Sequence, residues 1–225
     1  MESTWKSYLY VVLAVTVLSC TRKEAAQEEQ VFSQSTEESM EATFQKMELG
    51  LNQKSAWKSH WSALTGELMI TDFEWVFTDS IDPMEMPEKN PILANDPLFP
   101  YQFAHPEGNG TLDIYSYKVE AQDGGSPYLN PDSEVVWYRA DGMKERLLFM
   151  GPSGMFEDGL WLSPSEFLVM GYFQEDEGYR PMLWLIRTDT HLLSQFKFKK
   201  VVSEYTAESY LNRKLKAVGL PANAN

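Results

Sequence analysis

Two spacings of apolar residues divide the chain. Residues 36–64 repeat apolar positions every three or four residues, whereas from residue 67 onward short runs of branched and aromatic residues are separated by Gly, Pro, Asn and Asp. The first spacing predicts helix and the second strand. Met40, Phe44, Met47 and Leu51 lie on one face of a helix expected over about 36–51, opened by Ser35 and Glu38 as a capping box. Trp57, Trp61 and Leu64 carry the same spacing on a rotated phase, which predicts a kink or a second short helix before Thr65-Gly66. Both stripes read as faces docked on a sheet, with Trp57 and Trp61 as core rather than as a ligand platform.

Strands are expected in ELMITDFEWVF, TLDIYSYKVE, EVVWYRA, KERLLFM, EFLVMGYFQE, PMLWLIRT and LSQFKFKK. Asp141-Gly142 predicts a tight two-residue hairpin turn, and the acidic loop Glu175 to Gly178 closes a second hairpin. In LDIYSYKV and QFKFKK one face alternates polar, so the sheet has a wetted side. Two stretches share the strand-turn-strand rhythm of propeller blades, but two or three blades close no ring. The expected fold is mainly β: an antiparallel curved sheet or a small β-sandwich, with the N-terminal helical segment over one face.

The N-terminus follows another logic. Tyr8–Leu18 is apolar except for Thr16, and as a helix it would reach about 16 Å, half the hydrocarbon core of a bilayer. Together with Lys6 before it and the small Ser19 after it, this is the pattern of an export signal. Val17-Leu18-Ser19-Cys20 resembles the lipobox of bacterial lipoproteins, and Cys20 is the sole cysteine of the chain. The resemblance implies a signal peptide over 1–19, lipid on the sulfur of Cys20 with palmitate-like acylation of its new α-amine, and no thiol left for disulfides or metals. Thr21 is not the aspartate associated with inner-membrane retention, so the resemblance implies a cell-envelope lipoprotein held at the outer membrane. Several acyl chains hold a protein at a membrane where one gives marginal binding. Residues 20–34 then read as a flexible tether, 35–64 as the helical segment, 65–218 as the β domain and 219–225 as a disordered tail.

Composition narrows the partners. The chain of 225 residues has 33 acidic against 19 basic residues and a formal charge of −14, which argues against nucleic acid, since phosphates call for clustered Lys and Arg. Its 43% hydrophobic content is enough to build a core without cofactor or metal. His60, His105 and His191 are isolated from one another, and Asp79, Asp82 and Asp96 match no calcium loop. GPSGM at 151–155 lacks the pattern of a nucleophile elbow or phosphate loop and reads as a turn. Glu157 with Asp158 and Glu175 with Asp176 are the carboxylate pairs a hydrolase of cell-wall or glycan substrate would draw on, with Glu166 nearby. Residues 80–110 hold 6 of the 12 prolines without a sustained period. Such a stretch is expected to be an ordered excursion presenting Phe99, Tyr101 and Phe103 as a candidate binding patch. The functional expectation is a membrane-anchored module that binds an envelope protein or glycan, with the hydrolase as the alternative.

Overall fold

The computed structural model describes residues 39–120 and 127–219. The lipobox at Cys20, the tether, the capping box at Ser35 and residues 220–225 of the C-terminal tail lie outside them. The chain divides into Met1–Gln45 and Lys46–Asn225. The described residues 39–45 of the first unit are helical, and all the described strands belong to the second.

A helical run over 39–53 (α1) is followed, after a break at Lys54, by α2 (Ser55–Thr65). Lys54 has φ −98° and ψ 49°, outside the helical region, and this turns the Trp57–Trp61 stripe relative to Met47–Leu51. All four side chains are at most 1% exposed. Gly66, at φ +85°, ends α2 in a conformation that favours glycine.

The strands are β1 (Phe73–Ser80), β2 (Met84–Pro87), β3 (Phe103–Ala104), β4 (Thr111–Asp113), β5 (Val119–Glu120), β6 (Tyr128–Leu129), β7 (Ser133–Tyr138), β8 (Met143–Met150), β9 (Gly154–Ser163), β10 (Glu166–Glu175), β11 (Gly178–Arg187) and β12 (Leu192–Phe198). A short helix, α3 (Ser209–Lys214), follows them. One five-stranded antiparallel sheet runs β1-β12-β11-β10-β9, a second runs β2-β8-β7-β4-β3, and β5 pairs with β6. The protein is thus mainly β, with a helical N-terminal segment and open sheets.

Alternation along β10 separates the two faces of the first sheet. Leu168 lies 3.5 Å from where a Cβ on Gly50 of α1 would sit, and Tyr172 packs on Trp61 of α2 at 6.0 Å. The next position round, Phe167, meets Phe103 of β3 at 5.3 Å, and Trp161 of β9 meets Trp137 of β7 at 6.3 Å. Helices therefore cover one face and the second sheet covers the other. Residues 167–170 of β10 are 0% exposed, and they form a near-continuous apolar run because both of their faces are buried.

Several expectations are corrected. The first strand begins at Phe73, after a 3₁₀ turn over Ile70–Asp72. The strand expected across 111–120 pairs only at its two ends. Asp113 Oδ1 accepts the backbone N–H groups of Tyr115 and Ser116 at 2.8 and 2.7 Å, a local turn that competes with the ladder. The Asp141 hairpin closes over three residues rather than two. The N–H of Gly142 donates to the carbonyl of Arg139 at 3.1 Å, and only Gly142 takes a positive φ, +90°. GPSGM is a turn only in its first part, because β9 starts at Gly154.

Candidate functional site

β9 pairs with β10 through a bulge. Met170 faces Asp158 and Gly171 faces Phe156, so Glu157 is the extra residue. Phe156 lies on the face turned to the second sheet, beside Trp184 of β11, which it meets edge-on at 5.1 Å, and the bulge then turns both Glu157 and Asp158 to the helical face. The strands approach so closely that a Cβ on Gly171 would lie 1.9 Å from the carbonyl oxygen of Met155.

Glu157 is 0% exposed. Its Oε2 accepts the indole N–H groups of Trp57 and Trp61, both at 2.8 Å, and its Oε1 accepts the Tyr205 hydroxyl at 2.8 Å. Burial pushes its pKa up to about 7, against the pull of these three donors. Tyr205 also stacks on Trp61 at 4.6 Å. The chain of contacts continues outward, since His60 Nε2 lies 3.0 Å from the Tyr205 oxygen and His60 Nδ1 meets the Arg213 guanidinium. Arg213 can only donate, so Nδ1 accepts and Nε2 carries the proton that Tyr205 accepts. Burial and then the Arg213 charge lower the His60 pKa to about 4, so the ring is neutral at pH 7.

Asp158, beside it, has charged partners. Oδ1 accepts Lys54 at 2.9 Å and the N–H of Gly159 at 2.8 Å, while Oδ2 accepts Lys214 at 2.5 Å and the Tyr210 hydroxyl. Burial alone would raise its pKa, but Lys214 and Lys54 outweigh that and hold it below the usual carboxylate range. Above this cluster lies an open groove of about 740 Å³, walled by Ser55, Ser59 and Leu64 on one side and by Tyr210, Arg213 and Lys214 on the other, with Asp158 at its floor.

The other residues singled out in the sequence lie elsewhere. His105 is held by the carbonyl of Pro164 at 2.7 Å and stacks on Trp137, and His191 meets Glu145 at 3.1 Å. With His60 under Arg213, the three histidines do not meet, and no group of metal-ligating side chains occurs among the described residues. Asp79 and Asp96 accept nearby backbone N–H groups, both at 2.7 Å. Glu175 is held in a two-point pair with Arg180, both contacts at 2.6 Å, and Glu166 meets Lys46 at 2.8 Å. Within the proline-rich excursion, Tyr101 and Phe103 turn inward on Tyr115 at 6.2 and 6.1 Å, while Phe99 is 47% exposed.

Lys54, Tyr205, Tyr210, Arg213 and Lys214 were not singled out in the sequence. The available signal was SYLNRKLK at 209–216, three basic residues in eight within a strongly acidic chain. No helix among the described residues is long and apolar enough to cross a membrane. In comparisons with known proteins, no family model, no curated protein and no solved structure matches the chain.

Proposed function

We propose that the protein is a lipid-anchored binding module of the bacterial cell envelope. Cys20 carries the lipid, residues 20–34 span the distance to the folded unit, and the groove between α2 and α3 receives an envelope protein or glycan. The observation that carries the binding reading is the groove itself, an open concave surface of about 740 Å³ lined by hydroxyl, imidazole and cationic side chains from separate elements. A hydrolase would need a protonated carboxyl open to its substrate. Glu157 titrates near neutrality but is 0% exposed, and Asp158, at the floor, is held ionised by two lysines.

Two experiments test the reading. Cys20→Ala should abolish incorporation of labelled fatty acid and leave the protein either soluble or as an uncleaved precursor, and undiminished labelling would refute the anchor. In a chemical-shift titration with solubilised cell-wall glycan fragments, perturbations should gather at Ser59, His60 and Arg213. Perturbations gathered at Phe99 instead would move the binding surface to the proline-rich excursion.

A further inference from the structure

We infer that the groove recognises an oxyanion, a carboxylate or phosphate carried on a compact polar body such as a sugar. This rests on the reading of the groove as a binding site and adds the chemistry of what it binds. Four charged side chains line the groove, three cations (Lys54, Arg213, Lys214) and one carboxylate, Asp158. Over the whole chain the balance is reversed, 33 acidic to 19 basic. Three cations gathered at one concave surface of such a chain set up a local positive field that a dispersed charge distribution does not.

The internal pairings leave that field uncompensated. One carboxylate balances one of the two ammonium groups on it, and Lys54 and Lys214 keep 23% and 19% of their side chains exposed while Asp158 keeps 3%. Arg213 is exposed, and its partner is the neutral ring of His60, which offers a lone pair but no counter-charge. A guanidinium has five N–H donors in a planar fork, so most of them remain for a ligand. That fork fits the two oxygens of a carboxylate or phosphate, and the ammonium groups beside it serve as point charges. The wall of α2 opposite presents the Ser55 and Ser59 side chains rather than further acids, so nothing on that side repels an anion.

The test uses the full soluble chain from Thr21 onward and three probes: inorganic phosphate, glucuronate and neutral glucose. Each is titrated while the backbone resonances of Ser59, His60, Arg213 and Lys214 and the Arg213 side chain are followed. Phosphate, glucuronate or both should bind saturably and shift these residues together, whereas glucose should not. Which oxyanion binds more tightly then identifies the head group. Arg213→Gln, a change at an exposed side chain, should weaken the bound oxyanion about tenfold, as expected for losing a charge-assisted hydrogen bond, and Arg213→Glu should weaken it further. Glucose or glycan fragments binding at these residues while both oxyanions fail to bind would overturn the oxyanion assignment and leave the binding reading standing. Oxyanions that shift other residues, or bind Arg213→Gln as tightly as the parent, would also overturn it. Silence of the groove towards every probe and every glycan fragment would remove both readings.

Discussion

Burying Glu157 among two indoles and a phenol leaves it free to take up a proton near neutrality, because neutral donors offset only part of the desolvation of a carboxylate. Its pKa rises from 4.5 in the unfolded chain to about 7 in the fold, so the folded state binds the proton more tightly. The stability this contributes is therefore fully present below pH 4.5 and is lost as pH rises to 7. Glu157→Gln keeps a carbonyl for the indoles and an amide that can meet Tyr205, but does not titrate. Between pH 4.5 and 7.5 the parent should lose stability relative to this variant, by on the order of 3 kcal/mol at most. Urea unfolding at both pH values checks this, and parallel pH profiles would show that Glu157 does not titrate in that window. His60 has the opposite sign, since its folded pKa lies near 4. Its contribution is present above pH 6.5 and lost as pH falls towards 4, and the comparison with Glu157→Gln cancels it because both proteins share it.

The two hairpins show why some elements were legible and others were not. β10 and β11 announce themselves as unbroken apolar runs around Asp176-Glu177, and Glu175 pairs with Gly178 as the sequence suggests. At the Asp141 hairpin the turn residues were legible but the turn length was not, since DG serves loops of two or three residues equally well. Gly142 stands at φ +90° with nothing within 4 Å of an added Cβ. Gly142→Val should therefore report backbone strain alone, about 1–2 kcal/mol on the denaturation midpoint, and an unchanged midpoint would mean that the turn relaxes. Gly171→Ala is a different case, because its Cβ would overlap the Met155 carbonyl at 1.9 Å. That variant should lose several kcal/mol or fail to fold, as judged by its thermal transition. β9 itself could not be read locally. GMFEDGLWLS interrupts its apolar residues with two glycines and two adjacent acids, the composition of a loop. Its ladder is with β10, the next strand, but the partners that accommodate its buried acid lie far off in sequence: Trp57 and Trp61 are 100 and 96 residues before Glu157, and Tyr205 is 48 after it. Glu157, Asp158 and His60 stood out in the sequence, but their convergence with Lys54, Arg213 and Lys214 did not, since those cations come from the break before α2 and from α3.

Among the described residues, the folded unit leaves two edge strands uncovered, β2 along its whole length and the longer β1 along nearly all of it. β1 is the edge of the first sheet, and seven of its eight residues are exposed, among them Trp75, Val76 and Phe77 at 50, 38 and 38%. Such an edge invites pairing with another chain. The net charge of −14 opposes this at pH 7, but the charge vanishes near the isoelectric point of about 4.6. Light scattering should rise as pH falls from 7 towards 4.6, and Phe77→Lys, which puts a charge on the edge, should lessen the rise. Equal scattering by the two proteins would place the sticky surface elsewhere.

The bulge in β9 separates two demands on one strand. After it, Gly159 and Trp161 face the second sheet beside Phe167, and Leu160 and Leu162 face Gly50 of α1. Before it, Phe156 faces the second sheet as well. If Glu157 were excised, Phe156, Asp158 and Gly159 would follow one another in strict alternation and every remaining side chain would keep its side. The sheet is therefore grammatical without Glu157, whereas the three donors above it are not: two indole N–H groups and the Tyr205 hydroxyl hydrogen would lose their acceptor, each at a cost of about 1–3 kcal/mol. Glu157 is an inserted word, placed in the strand for the sake of α2 and the Tyr205 segment that read it.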